Sequence, residues 1–186
     1  MPPSRSRPHG PWKIKSSQDV YCDPFIHVWL DQVVRPDQKD GQHVVVAMKP
    51  GVCVLAIDEN RDFILTKEFH YGIGRESIEA VSGGVEPGED PDLTAARELE
   101  EELGLVAQEL KFVTTVDPFT TIMVSPTRIY FASGLSEGTK DPEGTELIEP
   151  FRLSLSEAVK WVRAGKITHA PTCVAILLAT NDVGLA

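Results

Sequence analysis

Apolar residues in the first two-thirds of the chain fall in short alternating or continuous runs, the spacing of strands rather than helices. Residues 20–30 predict a strand, residues 35–42 a turn-rich stretch, and residues 43–48 a second strand. The pair predicts a hairpin centred on Asp40-Gly41. Residues 51–57 and 63–67 repeat the rhythm around a polar turn, and their Val, Ile and Phe content suits a half-buried pleated surface. The first helix is expected from Pro91, with Asp90 as its N-cap and Gly104 placed to end it. Strands over 109–116 and 127–132 follow, punctuated by Pro118 and Pro126, and then a Gly/Asp/Glu-rich loop over 136–145. Ser154 or Ser156 caps a helix running to about Ala164, and a last helix is expected over 171–180. Strands early and helices late, with no internal repeat, predict an α+β class with helices packed on a mixed sheet.

Composition narrows the reading. The 186 residues suit one domain with a short additional arm. Residues 1–19 are rich in Pro, Ser and Arg without periodicity and read as a flexible tail, 20–48 as an N-terminal β arm, and 49–183 as the main domain. No run of about 18 uncharged apolar residues is present, so no membrane partner is expected. The first ten residues have no apolar segment and do not read as a secretory signal. Cys22, Cys53 and Cys173 lie far apart and form no C-x-x-C pair, which argues against a disulfide framework and for a reducing cytoplasm. With 18 basic and 28 acidic side chains the net charge is −10, so binding to nucleic acid through a basic surface is not expected. That acidity is either a solvated surface or a place for cations.

The predicted helix behind Asp90 decides between them. At about 100° per residue, Glu98, Glu101 and Glu102 share an arc of about 100°. Ala96, Leu99 and Leu103 fall on a neighbouring arc suited to packing. A Glu-rich helix face is ordinarily just solvated. Here, however, Glu101 and Glu102 sit near the helix C-terminus, where the dipole disfavours anions. A hard divalent cation reverses the repulsion, because carboxylate oxygen is the ligand Mg²⁺ or Mn²⁺ prefers. Glu89 lies in the loop before the helix, and Arg97 is placed to clamp it.

These residues spell G-x5-E-x7-R-E-U-x-E-E-x-G-U, where U is a bulky aliphatic residue, through Gly83, Glu89, Arg97, Glu98, Leu99, Glu101, Glu102, Gly104 and Leu105. The segment resembles the signature of the Nudix hydrolases at every specified position. The resemblance implies an α/β/α sandwich with a mixed sheet between helices, binding a divalent metal and a diphosphate. It further implies Glu98 and Glu102 as metal ligands, Glu101 as a ligand or close partner, the Ser82 backbone carbonyl in the metal shell, and Glu89 and Arg97 as the support that holds the loop. Divalent cations, Mg²⁺ or alternatively Mn²⁺, would neutralise the pyrophosphate oxygens and acidify the attacking water.

The likeness runs over residues 20–180 and is similar to the ADP-ribose pyrophosphatase branch. Arg75, Glu76 and Glu79 ahead of the box match its pattern, which implies Arg75 against a substrate phosphate and Glu79 near a polar substrate group. An ordinary loop ion pair is the simpler structural alternative. In the acidic loop, Glu146 matches the branch's further metal ligand, with Glu143 as a candidate general base and Glu149 the less favoured choice. The N-terminal arm is similar to the branch's dimerisation arm, so a homodimer is expected, with Phe25 and Trp29 offering faces to a nucleobase or simply packing. Thr120 and Thr121 stand near where the branch usually carries a Ser-Pro-Gly-like segment, and His70 stands where an arginine is common. The implied function is metal-dependent hydrolysis of ADP-ribose or a related nucleoside diphosphate sugar. The alternatives are a hydrolase for another nucleotide sugar such as GDP-mannose, or a module that senses nucleotide without turnover.

Overall fold

In the computed structural model, described over residues 6–141 and 147–180, the chain divides into two compact units. The first comprises residues 1–49 and 119–125, and the second residues 50–118 and 126–186.

The first unit is one sheet. Strands β1 (Arg7–His9), β2 (Trp12–Cys22), β3 (Ile26–Val34) and β4 (Asp40–Met48) form an antiparallel meander, to which β10 (Met123–Val124) adds in parallel beside β4. The flexible tail expected over residues 1–19 is therefore strand from Arg7 onward. Its polar side chains gave no apolar period, and what orders it is the backbone ladder to β3, which runs from Lys13↔Val34 to Cys22↔His27. The single strand expected over 20–30 is two strands. Pro24 cannot donate to a ladder, and the Asp23 carboxylate accepts from the backbone of Phe25 and Ile26 at 2.7 and 2.8 Å, which turns the chain there. The β3–β4 hairpin forms as expected, but its tip is earlier. Asp40 and Gly41 lie within β4, and the reversal is closed by Arg35 N–H to Lys39 O at 2.8 Å, with Gln38 left-handed at φ 65°.

The second unit carries β5 (Gly51–Ile57), β6 (Asp62–His70), β7 (Arg75–Glu79), β8 (Val81–Gly84), β9 (Leu105–Val116), β11 (Thr127–Glu137) and β12 (Glu149–Ser154). Its helices are α1 (Pro91–Leu103), α2 (Leu155–Arg163) and α3 (Ala170–Ala179). The sheet order is β12-β6-β5-β11-β9, and the β5–β11 pair is parallel within otherwise antiparallel neighbours. Central β5 is buried along nearly its whole length, as a strand covered on both faces must be. Alternation then assigns its side chains. Val52, Val54 and Ala56 pack with Ala95, Leu99 and Leu103 of α1. Cys53, Leu55 and Ile57 pack with Ala158 of α2 and with Ala175 and Ile176 of α3. This is the α/β/α sandwich with a mixed sheet that the box implied. Among the described residues no helix is long and apolar enough to cross a membrane.

One edge of β5 is shared, and that sharing places the site. Residues 51–54 pair with β8, whereas Ala56 and Ile57 pair with β6. β7 pairs with the outer half of β6 and leads directly into β8. The sheet therefore forks, and Ser82 and Gly83 lie on the inner tine, beneath α1. Strands β7, β8 and β12 were not expected, being short and largely polar.

Because Leu99 is fully buried between α1 and the sheet, Leu99→Ala should cost about 2–5 kcal/mol of unfolding free energy, read by urea denaturation.

Candidate active site

The box helix is held at both ends. Asp90 caps it by accepting from Asp92 N–H at 3.0 Å, and Pro91 opens it where no N–H is needed. The Asp92 carboxylate also accepts from the hydroxyl of fully buried Tyr130 at 2.6 Å, tying the first turn to β11. At the other end Gly104 is left-handed at φ 66°, and its N–H returns to Glu100 O at 2.8 Å.

Between these ends the acidic residues take two different settings. The first is the edge of β8. A Cβ at Gly83 would lie 2.0 Å from the Glu98 carboxyl carbon, so the Glu98 side chain occupies the space that a side chain at position 83 would need. Glu102, only 6% exposed, approaches the Ser82 N–H at 3.4 Å. Glu98 and Glu102 thus converge on the Ser82–Gly83 backbone. The second setting is Arg97. Its Nε meets Glu89 at 3.1 Å, its Nη2 meets Glu98 at 2.9 Å and its Nη1 meets Glu101 at 2.6 Å. Burial alone would push the Arg97 guanidinium down, but Glu89 and its companions hold it above its ordinary value. Arg97, with the Glu86 backbone N–H, lowers the Glu89 carboxyl in return. Arg97 therefore braces the loop, orients Glu98 and occupies Glu101.

Two carboxylates beside a strand backbone offer hard oxygen donors, and this fits Mg²⁺, which usually takes only one or two protein carboxylates and completes its shell with water and phosphate oxygens. Among the described residues no three His, Cys, Asp or Glu side chains converge closely enough to hold a metal by themselves. Glu143 and Glu146 lie outside the described residues. The chain on either side of them is anchored, however. Gly138 N–H donates to Gly104 O at 2.8 Å, Thr139 N–H to the Glu100 carboxylate at 3.1 Å, and Asp141 N–H to Glu101 O at 3.0 Å. Lys140 then reaches Ile148 O at 2.9 Å, joining the two described stems. Glu149, the less favoured choice, lies on β12, ion-paired with Lys67 at 3.5 Å.

The strand ahead of the box, β7, is met by residues far away in sequence. Arg75 Nη2 donates to Thr168 Oγ1 at 2.9 Å. Glu79, whose side chain is 13% exposed, meets His70 Nε2 through one oxygen and His169 Nδ1 through the other, each at 3.2 Å. Thr172, fully buried, accepts from Ala80 N–H at 2.9 Å. His70 was noted only as a departure from arginine, and Thr168, His169 and Thr172 carried no local signal, since they act about 90 positions away from their partners. Phe25 and Trp29 belong to the first unit. Phe25 is 68% exposed with Lys49 Nζ 5.2 Å from its ring centroid, and Trp29 packs on His27 with ring centroids 5.0 Å apart.

Gly83→Ala should displace the flexible Glu98 carboxyl rather than unfold the sheet. The expected outcome is a loss of turnover of about 100-fold with a nearly unchanged unfolding midpoint, read by steady-state kinetics beside thermal melting. Burial, opposed by Glu79, lowers the His169 pKa below 6.5. The unfolded chain therefore binds the extra proton first, and stability present above about pH 6.5 is lost as pH falls through the lowered value. His169→Gln should flatten the dependence of the urea midpoint on pH between about 7 and 5.

Comparison with known proteins agrees with this geometry. The NUDIX domain family model matches residues 47–172. The chain is 28% identical over 166 residues to an ADP-ribose pyrophosphatase of Bacillus subtilis (strain 168), covering 88% of this chain and 90% of the relative. It is 28% identical over 172 residues to an ADP-ribose pyrophosphatase of Mycobacterium tuberculosis (strain ATCC 25618 / H37Rv), covering 90% and 82% respectively. The crystal structure of an ADP compounds hydrolase shares the fold with a TM-score of 0.78 at 21% identity, over 90% of this chain and 91% of that one. With the family model spanning more than half its length and the box helix seated on its sheet, the chain belongs to the Nudix family and is a Nudix hydrolase.

Proposed function

We propose that the protein is a Mg²⁺-dependent pyrophosphatase that hydrolyses ADP-ribose, or a closely related nucleoside diphosphate sugar, to a nucleoside monophosphate and a sugar phosphate. The observation that carries this reading is the convergence of Glu98 and Glu102 on the Ser82–Gly83 edge, with Arg97 bracing the loop around them. The similarity to two ADP-ribose pyrophosphatases supports the substrate class.

A divalent cation held there by Glu98, Glu102 and the Ser82 carbonyl would supply charge neutralisation of the diphosphate and acidify the attacking water. The rest falls to the chain's own groups. The Glu98 carboxyl lies against Gly83 and the buried Glu102 carboxyl beside the Ser82 N–H, so both stand at the same short length of backbone. Glu101, held by Arg97, supports the cluster from behind. Glu146 is our candidate for a further ligand and Glu143 for the general base; the described stem ahead of them, residues 138–141, is tied to the box helix. Arg75 and Glu79 on β7 face the substrate, Arg75 toward phosphate oxygens. Phe25 and Trp29 offer aromatic faces for a base. We assign the protein to the cytoplasm, consistent with three free cysteines, and to a homodimer joined through the arm of residues 20–48.

The reading predicts that Glu98→Gln and Glu102→Gln each lower turnover of ADP-ribose by about 100-fold or more while the far-ultraviolet circular dichroism stays native. A phosphate-coupled panel of ADP-ribose, GDP-mannose, UDP-glucose and dinucleoside polyphosphates with Mg²⁺ should show ADP-ribose as the best substrate. No cleavage of any of them would remove the enzymatic assignment.

A further inference from the structure

The approach to α3 does more than end a connection. Ile167 is buried in the core, Cys173 N–H returns to His169 O at 2.9 Å, and Thr172 takes the Ala80 N–H, so residues 167–172 form a fixed edge alongside β7 and the entrance to β8. Each substrate-facing side chain of β7 ends on that edge. Arg75 reaches Thr168 Oγ1 at 2.9 Å, and Glu79 lies 3.2 Å from His169 Nδ1, a nitrogen that Thr172 Oγ1 holds at 2.8 Å. From the other side His70 takes the second Glu79 oxygen, while Thr66 Oγ1 donates to the Glu79 carbonyl at 3.2 Å. The Glu79 carboxylate therefore stands between two imidazoles, one beside each oxygen.

We propose that Thr168 and His169 are positioning residues for substrate binding, with Thr168 setting the Arg75 guanidinium and His169, opposite His70, setting the Glu79 carboxylate. The inference rests on the reading that β7 faces the substrate. Its physical content is preorganisation. An exposed arginine carries considerable rotamer entropy, and a ligand that must freeze it loses that much affinity. A hydroxyl on Nη2, beside the Glu76 carbonyl that Nη1 meets at 3.3 Å, removes part of the cost while leaving the remaining N–H groups available to phosphate oxygens. His169 does the same for Glu79. It also fixes the side chain at the last residue of β7, three positions before Ser82 on the β8 edge.

The effect belongs to binding and not to the chemical step, which makes it measurable. In steady-state assays of the full chain with ADP-ribose and Mg²⁺, Thr168→Val and His169→Ala should each raise KM roughly three- to tenfold, the cost of leaving one side chain to be ordered by the ligand. Turnover number should stay within about twofold. Thr168→Ser should restore the native KM, because it keeps the hydroxyl. An independent readout is the nitrogen-15 NMR signal of His169 Nδ1, which lies against both Glu79 and Thr172 Oγ1 and should shift in Glu79→Gln. If Arg75→Ala raises KM while Thr168→Val and His169→Ala, both folded by circular dichroism, leave it unchanged, the positioning role is wrong and the reading of β7 stands. If Arg75→Ala and Glu79→Gln also leave KM unchanged, β7 does not face the substrate and the inference falls with that reading. A loss confined to kcat would contradict it as well.

Discussion

The carboxyl group of Glu98 lies where the side chain of any residue other than glycine at position 83 would have to go. The site depends on that close approach of helix to strand. It brings α1 onto the inner tine of the forked sheet, sets Leu99 and Leu103 against Val52, Val54 and Val81, and leaves Glu98 and Glu102 facing the same short length of backbone. The fork itself follows from β5 pairing with β8 over its first half and with β6 at its end. A helix bearing the same glutamates over an ordinary strand would present them to solvent.

Electrostatics completes what packing begins. Three carboxylates surround one guanidinium, so Arg97 offsets the repulsion that Glu98 and Glu101 would otherwise impose at the disfavoured end of the helix dipole. No basic residue occupies the last turn of α1. Glu102, at 6% exposure, is drawn out of water beside the β8 backbone. The net charge of −10 therefore has two origins: dispersed surface acids such as Glu59, and the box acids gathered around Arg97 and the β8 edge.

The box helix was legible from the sequence because its signals are local. Asp90, Pro91 and Gly104 mark its ends, and the glutamate spacing marks its face. Strands with clear apolar content, β5 and β11 above all, were legible for the same reason. β2 was not, because its polar side chains are nearly all exposed and its order comes from a ladder to another strand. β7 and β12 are short and mostly polar for their length, so period alone does not reveal them. Glu79 was singled out by resemblance, but its two histidines were not, since one lies on β6 and the other ahead of α3, and only the fold brings them to the same carboxylate.

The central claim is that Glu98 and Glu102 make the β8 edge a divalent-cation site, and manganese binding tests it without reference to any substrate. Mn²⁺ titration followed by electron paramagnetic resonance should show stoichiometric binding to the native protein, strongly weakened in both Glu98→Gln and Glu102→Gln and little changed when the exposed Glu59 is replaced by Gln. Undiminished Mn²⁺ binding in the Glu98 and Glu102 variants, both folded, would contradict it.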